Sequence, residues 1–259
     1  MNATPSALPG FARPPMLRLF LLEAGYELLK VLRTPAFAVP TLIFPLVFYV
    51  MFALVLPGQW GGYQKATYLL ATYGVFGVVG PALFGFGVGL AIERQQGWLE
   101  LKRVSPMPTS AYFFAKIMMS LGFALAVVVL LSIAAIGFGQ VRIDVSTWLL
   151  LLATLLLGTL PFCALGLWIG TLVKGQAAVA VVNLIYLPMS VLSGLWIPLF
   201  AFPALLQKLA VIWPAWHLAQ MALGVIGQVD GVRYGMHAAV LLAMTVLFLS
   251  LAALRLRSE

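Results

Sequence analysis

The sequence predicts an all-α membrane protein with six transmembrane helices, an N-terminal amphipathic interfacial helix and short re-entrant helices before the last span. Of its 259 residues 63% are hydrophobic and 8% are charged, and the mean hydropathy is +1.07. Soluble domains are about 45–50% apolar and about 25% charged. The apolar residues form continuous runs rather than the alternating pattern of a barrel strand. Helices satisfy their own backbone hydrogen bonds in hydrocarbon, so a helical bundle is expected.

Six stretches contain the roughly 20 apolar residues that a spanning helix needs. They are residues 36–56, 68–92, 111–138, 148–172, 177–196 and 235–254. No linker or repeat divides the chain, so one membrane domain covers residues 1–259. Eleven of the 15 Lys and Arg residues fall on the side of the amino terminus and four on the other side. The positive-inside rule therefore places both termini in the cytoplasm, with the chain in the inner or plasma membrane.

Residues 16–33 precede the first span and mix apolar side chains with five charged ones. The charged residues are Arg18, Glu23, Glu27, Lys30 and Arg33. The segment has too many charges to span a membrane, so we expect an amphipathic helix at the inner interface that ends before Pro35. An N-terminal extension of the first span is the alternative. Residues 1–15 lack the pattern of a cleaved signal peptide and are expected in the mature protein.

The segment between the fifth and sixth spans is apolar but contains several prolines. Pro198, Pro203 and Pro214 would each interrupt a helical hydrogen-bond ladder. Short helical pieces over residues 197–216 that re-enter the outer leaflet therefore fit better than a seventh span.

Several kinds of chemistry have no support in the sequence. No acidic residue falls inside a predicted span, whereas ion-coupled transporters use carboxylates there. The chain has neither a phosphate-binding G-x-x-x-x-G-K-[ST] loop nor a nucleophile elbow. His217 and His237 are expected singly at the outer boundary, as polar anchors rather than metal ligands. We therefore expect no enzyme activity, no cofactor or metal in this chain, and no nucleic-acid partner.

Two glycine pairs and one polar stripe lie within the predicted spans. Residues 85–89 and 166–170 are small-x-x-x-small patterns, for which packing inside the chain is favoured over a dimer contact. The stripe falls on one helical face of the fifth span, at i, i+3, i+7 and i+10. It consists of Asn183, Tyr186, Ser190 and Ser193. Polar groups in a bilayer must face protein or water, so the stripe indicates either a translocation path or interhelical hydrogen bonding alone.

One polar island, residues 93–106, separates the second and third spans. Gly97 can break or cap a helix, and Trp98, Leu101 and Val104 then recur every three residues. Charged residues stand between them, namely Glu100, Lys102 and Arg103. This pattern predicts a short amphipathic helix in the cytosol that stops at Ser105-Pro106, with a solvated loop as the alternative. Trp98 and Leu101 would anchor a partner, and Glu93 and Glu100 would form the charged rim of the contact.

The residues of the polar island make the sequence resemble the membrane permeases of type-2 ABC transporters. The residues that match this family's loop after the second span are Glu93, Gly97, Leu99, Glu100 and Pro106. Trp98 replaces the usual Thr, and Arg103 stands where the family often has Leu. The likeness continues before the last span, in Ser193-Gly-Leu-Trp-Ile-Pro198, Phe202-Pro203 and Trp213-Pro214.

The resemblance implies a function and a set of partners. The island would be the coupling helix that contacts a separate ATPase subunit, through Glu93, Gly97, Trp98, Glu100, Leu101 and Arg103. Two permease chains and two ATPases would form the transporter within membrane lipid, with ATP and Mg bound by the ATPases. Cargo would pass through the dimer interface, most often outward. A non-transporting scaffold or immunity protein that recruits a cytosolic partner is the alternative, and a membrane enzyme would need a catalytic pair that the sequence lacks.

Overall fold

The structure, a computed structural model, describes residues 15–56, 58–60, 62–104 and 107–257. Residues 1–14 lie outside this description, and with them most of the segment examined for a signal peptide. Within these ranges the regular secondary structure is helical except for a hairpin of two short antiparallel strands, in which Gln59 pairs with Gln64 and Trp60 with Tyr63. The predicted all-α class is therefore confirmed apart from this hairpin.

Twelve α-helices and two strands follow one another in the described residues. They are α1 (Met16–Leu32), α2 (Pro35–Tyr49), β1 (Gln59–Trp60), β2 (Tyr63–Gln64), α3 (Lys65–Gly80), α4 (Gly89–Gln95), α5 (Trp98–Val104), α6 (Thr109–Gly137), α7 (Val145–Leu157), α8 (Leu160–Leu172), α9 (Ala177–Leu192), α10 (Ala204–Leu209), α11 (Pro214–Val225) and α12 (Tyr234–Arg257). A π-helical segment, Val50–Val55, continues α2, and a second, Pro81–Val88, joins α3 to α4. Short 3₁₀ turns, Leu199–Ala201 and Ala210–Ile212, flank α10.

Five helical segments within the described residues are long and apolar enough to cross a membrane. They are Pro35–Val55, Lys65–Gln95, Thr109–Gly137, Val145–Leu172 and Tyr234–Leu256. The remaining predicted span, residues 177–196, forms the 16-residue helix α9, which is shorter than the other five. It ends early because Gly194 takes a left-handed φ of +76° and the Leu195 N–H bonds back to the Ser190 carbonyl at 3.1 Å, which closes the helix.

The two ends of the bundle contain different elements, and we call them the α5 end and the hairpin end. The α5 end contains α1, α5, the start of α6 and the turn between α8 and α9. The hairpin end contains β1, β2, the turn between α6 and α7, and helices α10 and α11. At this second end Lys65 donates to the Leu56 carbonyl at 2.6 Å, and Tyr49 donates to the Ala66 carbonyl at 3.1 Å.

Helix α1 is separate from the first span rather than an extension of it. Thr34 interrupts the helix, because its ψ of 85° is outside the helical range. Pro35 is then the first residue of α2, a position at which the missing N–H costs no helical hydrogen bond. Helix α1 packs mainly along α6, with the Phe20 and Phe114 rings 5.4 Å apart. The predicted helix over residues 16–33 is thus present as Met16–Leu32.

The glycine pairs pack within the chain. A Cβ on Gly166 would lie 2.8 Å from the Ala82 carbonyl oxygen, and one on Gly170 would lie 2.7 Å from the Gly87 carbonyl oxygen. Helix α8 can therefore cross the π segment Pro81–Val88 only because neither residue has a side chain at this contact. The expectation of internal packing is confirmed.

Residues 197–225 form short helical pieces separated by prolines, as the sequence indicates. Pro198, Pro203 and Pro214 each precede or open one of these pieces. Helix α11 is the most buried of them and packs against α3, α7 and α12 through Leu218 and Ala222. The fold thus surrounds α3 with α2, α6 and α11, which makes α3 the centre of the core.

Candidate functional site

The predicted island helix is present as α5. Gly97, with a left-handed φ of +74°, turns the chain between α4 and α5. Trp98, Leu101 and Val104 are 55%, 64% and 84% exposed, so α5 presents an apolar face that the other described residues leave uncovered. The backbones of Glu100 and Arg103 belong to this helix. The predicted stop at residues 105–106 lies outside the described residues.

Glu93 lies apart from this exposed face, in a buried cluster of charges beneath α5. It belongs to α4, where its Oε1 is 2.9 Å from the Lys116 Nζ of α6. The same Lys116 Nζ lies 2.5 Å from the Glu27 Oε1 of α1. Lys30, also on α1, pairs with Glu93 and lies 3.3 Å from the Glu27 Oε2. Tyr112 completes the cluster by donating to the Glu93 Oε2 at 2.5 Å.

The cluster satisfies its own charges. Two carboxylates and two ammonium groups face one another, so the formal sum is zero and no charge is buried alone. Burial works against the positive charge of Lys30, but the carboxylates of Glu93 and Glu27 outweigh it and hold the pKa of Lys30 above its usual value. We call these five residues the charge cluster: Glu27, Lys30, Glu93, Tyr112 and Lys116.

Helix α4 is also tied to the helices on its other side. Arg94 donates to the Gly170 carbonyl of α8 at 2.8 Å, and the Gly175 N–H donates to the Ala91 carbonyl at 3.0 Å. Together with the charge cluster, these bonds join α4 to α1, α6, α8 and the start of α9. A displacement of α5 would therefore act on most of the helices at this end.

A cavity of about 720 Å³ runs between α2 and α9 along the face of α3 and its π segment. Phe44 and Leu187 line it and remain exposed, so it is a groove that opens to the surface of the chain. A second cavity of about 380 Å³ lies against the charge cluster at the α5 end. The two cavities share five lining residues, which are Thr34, Phe37, Phe84, Val88 and Ile92.

The structure separates the predicted polar stripe of α9 into two pairs. Asn183 and Tyr186 line the groove, whereas Ser190 and Ser193 are buried and do not. Ser190 donates to the Tyr186 carbonyl at 2.7 Å, within its own helix. The Tyr186 hydroxyl donates to the Phe76 carbonyl of α3 at 2.9 Å, so it also serves as an interhelical bond.

The two histidines form a pair, which corrects the expectation that each lies singly. The Nδ1 atoms of His217 on α11 and His237 on α12 are 2.9 Å apart, and both side chains are buried. His217 Nε2 lies 2.9 Å from the Val211 carbonyl, which can only accept, so Nε2 carries the proton and His237 Nδ1 donates to His217 Nδ1. Among the described residues no group of three or more His, Cys, Asp or Glu could hold a metal ion.

The charge cluster as a unit was not predicted from the sequence. Glu27 and Lys30 were assigned to the interfacial helix and Lys116 to the cytoplasmic side, without contacts between them. One signal was available: Lys116 stands eight residues into an otherwise apolar helix, where a cation needs a partner. The choice of Glu27 and Glu93 as its partners depends on helix packing that the local sequence does not reveal.

Comparison with known proteins identifies the class to which this fold and site belong. Residues 61–254 match the family model described as ABC-2 family transporter protein. The chain belongs to this family, so it is a multi-pass membrane subunit of a transporter.

A curated relative agrees with the family match. The chain is 31% identical over 207 residues to "Putative transport permease YvfS" of Bacillus subtilis (strain 168). The alignment covers 76% of this chain and 80% of the relative. Both comparisons therefore indicate a transport protein.

Proposed function

We propose that the chain is the translocation subunit of an ATP-driven exporter, and that α5 is the helix on which a separate ATPase subunit docks. The observation that carries the proposal is the exposed apolar face of Trp98, Leu101 and Val104 in a member of the ABC-2 family. Such a face next to charged residues marks a protein contact. ATP and Mg would bind on the ATPase.

The charge cluster supports a route from α5 to the membrane helices. Helix α5 follows α4 directly, and Glu93 on α4 is held by Lys30 of α1 and Lys116 of α6. Closing of the ATPases would move α5, and this route would carry the movement to α1 and α6. In this proposal Glu93 positions α5 through its ion pairs with α1 and α6. Trp98, Glu100, Leu101 and Arg103 belong to α5 itself, on which the ATPase docks.

The groove supports a translocation path shared by two copies of the chain. It opens between α2 and α9, where Ile43, Val47 and Leu184 are also exposed and apolar. A second copy facing the first would close the two grooves into one path within the membrane. Asn183 and Tyr186 would line that path, and Ser190 and Ser193 would support the helix behind it.

The proposal includes a topology. The α5 end would face the cytoplasm, because most Lys and Arg residues fall on that side of the predicted spans. Helix α9 would be the fifth of six spans, with α12 as the sixth. It would be shorter than the bilayer core because the chain continues into residues 197–216 at outer-leaflet depth. Both termini would then be cytoplasmic, in the inner or plasma membrane.

The test is capture of an ATPase by tagged chain in mild detergent, with the partner identified by mass spectrometry from its phosphate-binding loop. Wild-type chain should retain about one ATPase per permease, and the captured complex should hydrolyse Mg-ATP. Leu101→Asp should lose at least about tenfold in capture, because a charge replaces a central apolar anchor. Lys208→Asp, exposed on α10 at the opposite end, is the matched control and should capture normally.

Two outcomes would contradict the proposal. One is normal ATPase capture by folded Leu101→Asp, which would move the docking site away from α5. The other is capture of a cytosolic partner without ATP-dependent flux in liposomes, which would favour a membrane scaffold.

A further inference from the structure

Building on the proposed transport function, we propose that the cargo is an uncharged, ring-bearing apolar molecule with a hydrogen-bond acceptor. It would bind in the groove between α2 and α9, with its acceptor at the indole N–H of Trp196.

The groove has no charged lining residue in the part of the chain that the structure describes. Its polar lining residues are few, namely Thr34, Thr41, Gln176, Asn183 and Tyr186. A carboxylate or ammonium group entering this space would lose its hydration without gaining an opposite charge. The groove therefore favours a neutral ligand.

The entrance at the α5 end offers no net charge either. The adjoining cavity is lined by two Glu and two Lys of the charge cluster, and these are already paired with one another. An ion passing this end would have to compete with bonds as short as 2.5 Å between Lys116 and Glu27. Charge selection at this point is therefore weak.

Aromatic rings along the groove are already arranged in stacked pairs. Phe48 stacks on Trp196 with ring centroids 5.2 Å apart, and Phe76 stacks on Tyr186 at 5.0 Å. Phe84 meets Tyr186 edge to face at 5.8 Å. Rings fixed in this way present flat faces and edges to a further ring at little cost in side-chain freedom. A ligand with aromatic rings would extend these stacks.

One polar atom beside the groove lacks a partner. Trp196 lines the groove, and its Nε1 is buried with no acceptor among the described residues. A buried donor left unpaired is costly, and the great majority of such atoms in proteins have a partner. If the indole turned toward the groove, a carbonyl or ether oxygen on the ligand would satisfy it. The volume of about 720 Å³ falls in the usual range of small-molecule sites, about 300–1,000 Å³.

Photoaffinity labelling in lipid nanodiscs tests the inference without an ATPase. The probe is a neutral naphthyl ketone that carries a diazirine, and its comparators are a carboxylate analogue, a quaternary ammonium analogue and a hydrocarbon analogue without the ketone. Mass spectrometry locates the label. We expect saturable labelling of α2 and α9 by the ketone, and at least about tenfold weaker binding of both charged analogues.

Two variants isolate the hydrogen bond. Trp196→Phe keeps a ring for stacking and removes the N–H, so ketone binding should weaken about fivefold while hydrocarbon binding stays unchanged. Trp213→Phe, outside the groove, is the matched control and should bind both probes normally. The comparison of ketone with hydrocarbon on one folded protein keeps the test valid even where a variant is less stable.

The inference is overturned if the charged analogues label the groove with the affinity of the ketone, or if Trp196→Phe binds the ketone as the wild type does. Flux assays with the captured ATPase separate this from the proposed function. ATP-driven flux of the carboxylate analogue would overturn the cargo class and leave transport intact. Specific ketone labelling in a chain that captures no ATPase would overturn transport and leave the binding site intact.

Discussion

The two halves of the bundle differ in how completely their buried polar groups are paired. At the α5 end the charge cluster leaves none of its ionic groups without a partner. In the half toward the hairpin five buried polar atoms have no partner among the described residues, namely Thr72 Oγ1, Tyr73 Oη, Ser193 Oγ, Trp196 Nε1 and Gln228 Oε1. Paired groups in a low dielectric hold helices together, whereas unpaired ones cost stability. Under the proposed function, the fully paired end would transmit movement from α5, and the less completely paired half would contain the binding groove.

The largest expected effect comes from removing the central cation of the charge cluster. Lys116→Met leaves the partly exposed Lys30 as the remaining cation of the charge cluster, and breaking a buried pair in this way costs about 3–5 kcal/mol. The variant should show a much lower unfolding temperature in detergent or fail to accumulate. Lys174→Met, an exposed lysine between α8 and α9, is the control and should match the wild type. Equal unfolding temperatures for both variants would show that the cluster is not structural.

A pair of tyrosines compares the two halves directly. Tyr112→Phe removes a hydrogen bond to the Glu93 carboxylate, so it should destabilise the chain by about 1.5–3 kcal/mol. Tyr73→Phe removes a buried hydroxyl that has no described partner, so it should be neutral or slightly stabilising. Urea or thermal unfolding of the two variants in the same detergent measures both effects. Similar losses in the two variants would contradict the contrast between the halves.

The smallest expected effect is a pH dependence at the histidine pair. Burial lowers the pKa of His217, and its hydrogen bond to the Val211 carbonyl opposes this only in part. A depressed pKa in the folded state means that stability is fully present above the unfolded value of about 6.5 and is lost as the pH falls below it. The described hydrogen-bond and ring partners of His217 are His237, Val211 and Trp216, none of them acidic.

The unfolding temperature should therefore fall between pH 7.5 and pH 5, and most of this slope should vanish in the double variant His217→Asn, His237→Asn. Above pH 7 the double variant and the wild type should differ little in their pH dependence. A slope that is the same in both proteins would assign the pH dependence to other groups.

The sequence predicted most of the fold because hydropathy and proline positions carry that information locally. The exposed helix α5 followed from the spacing of Trp98, Leu101 and Val104 after Gly97, and α1 followed from its charges and Pro35. The sequence overestimates the length of α9 because residues 194–196 carry no polar interruption, whereas the left-handed Gly194 ends the helix at Leu192. Composition alone cannot locate such a helix end.

The candidate site was only partly predictable because its contacts join distant parts of the chain. Glu27 and Lys116 are 89 residues apart, and His217 and His237 are 20 residues apart on different helices. Asn183 and Tyr186 were found from helical periodicity, but the same rule included Ser190 and Ser193, which point away from the groove into the packed protein. Periodicity gives a face, and tertiary packing decides how much of that face reaches the groove.

The most direct test of the account is flux in liposomes that contain the purified chain with or without its captured ATPase. We predict flux only when both subunits and Mg-ATP are present. Glu93→Gln should keep ATPase capture but lower the amount of cargo moved per ATP hydrolysed, because it weakens the link between α5 and the helices around the groove. Vigorous flux by the chain alone under an ion gradient, or an unchanged ratio in Glu93→Gln, would contradict the account.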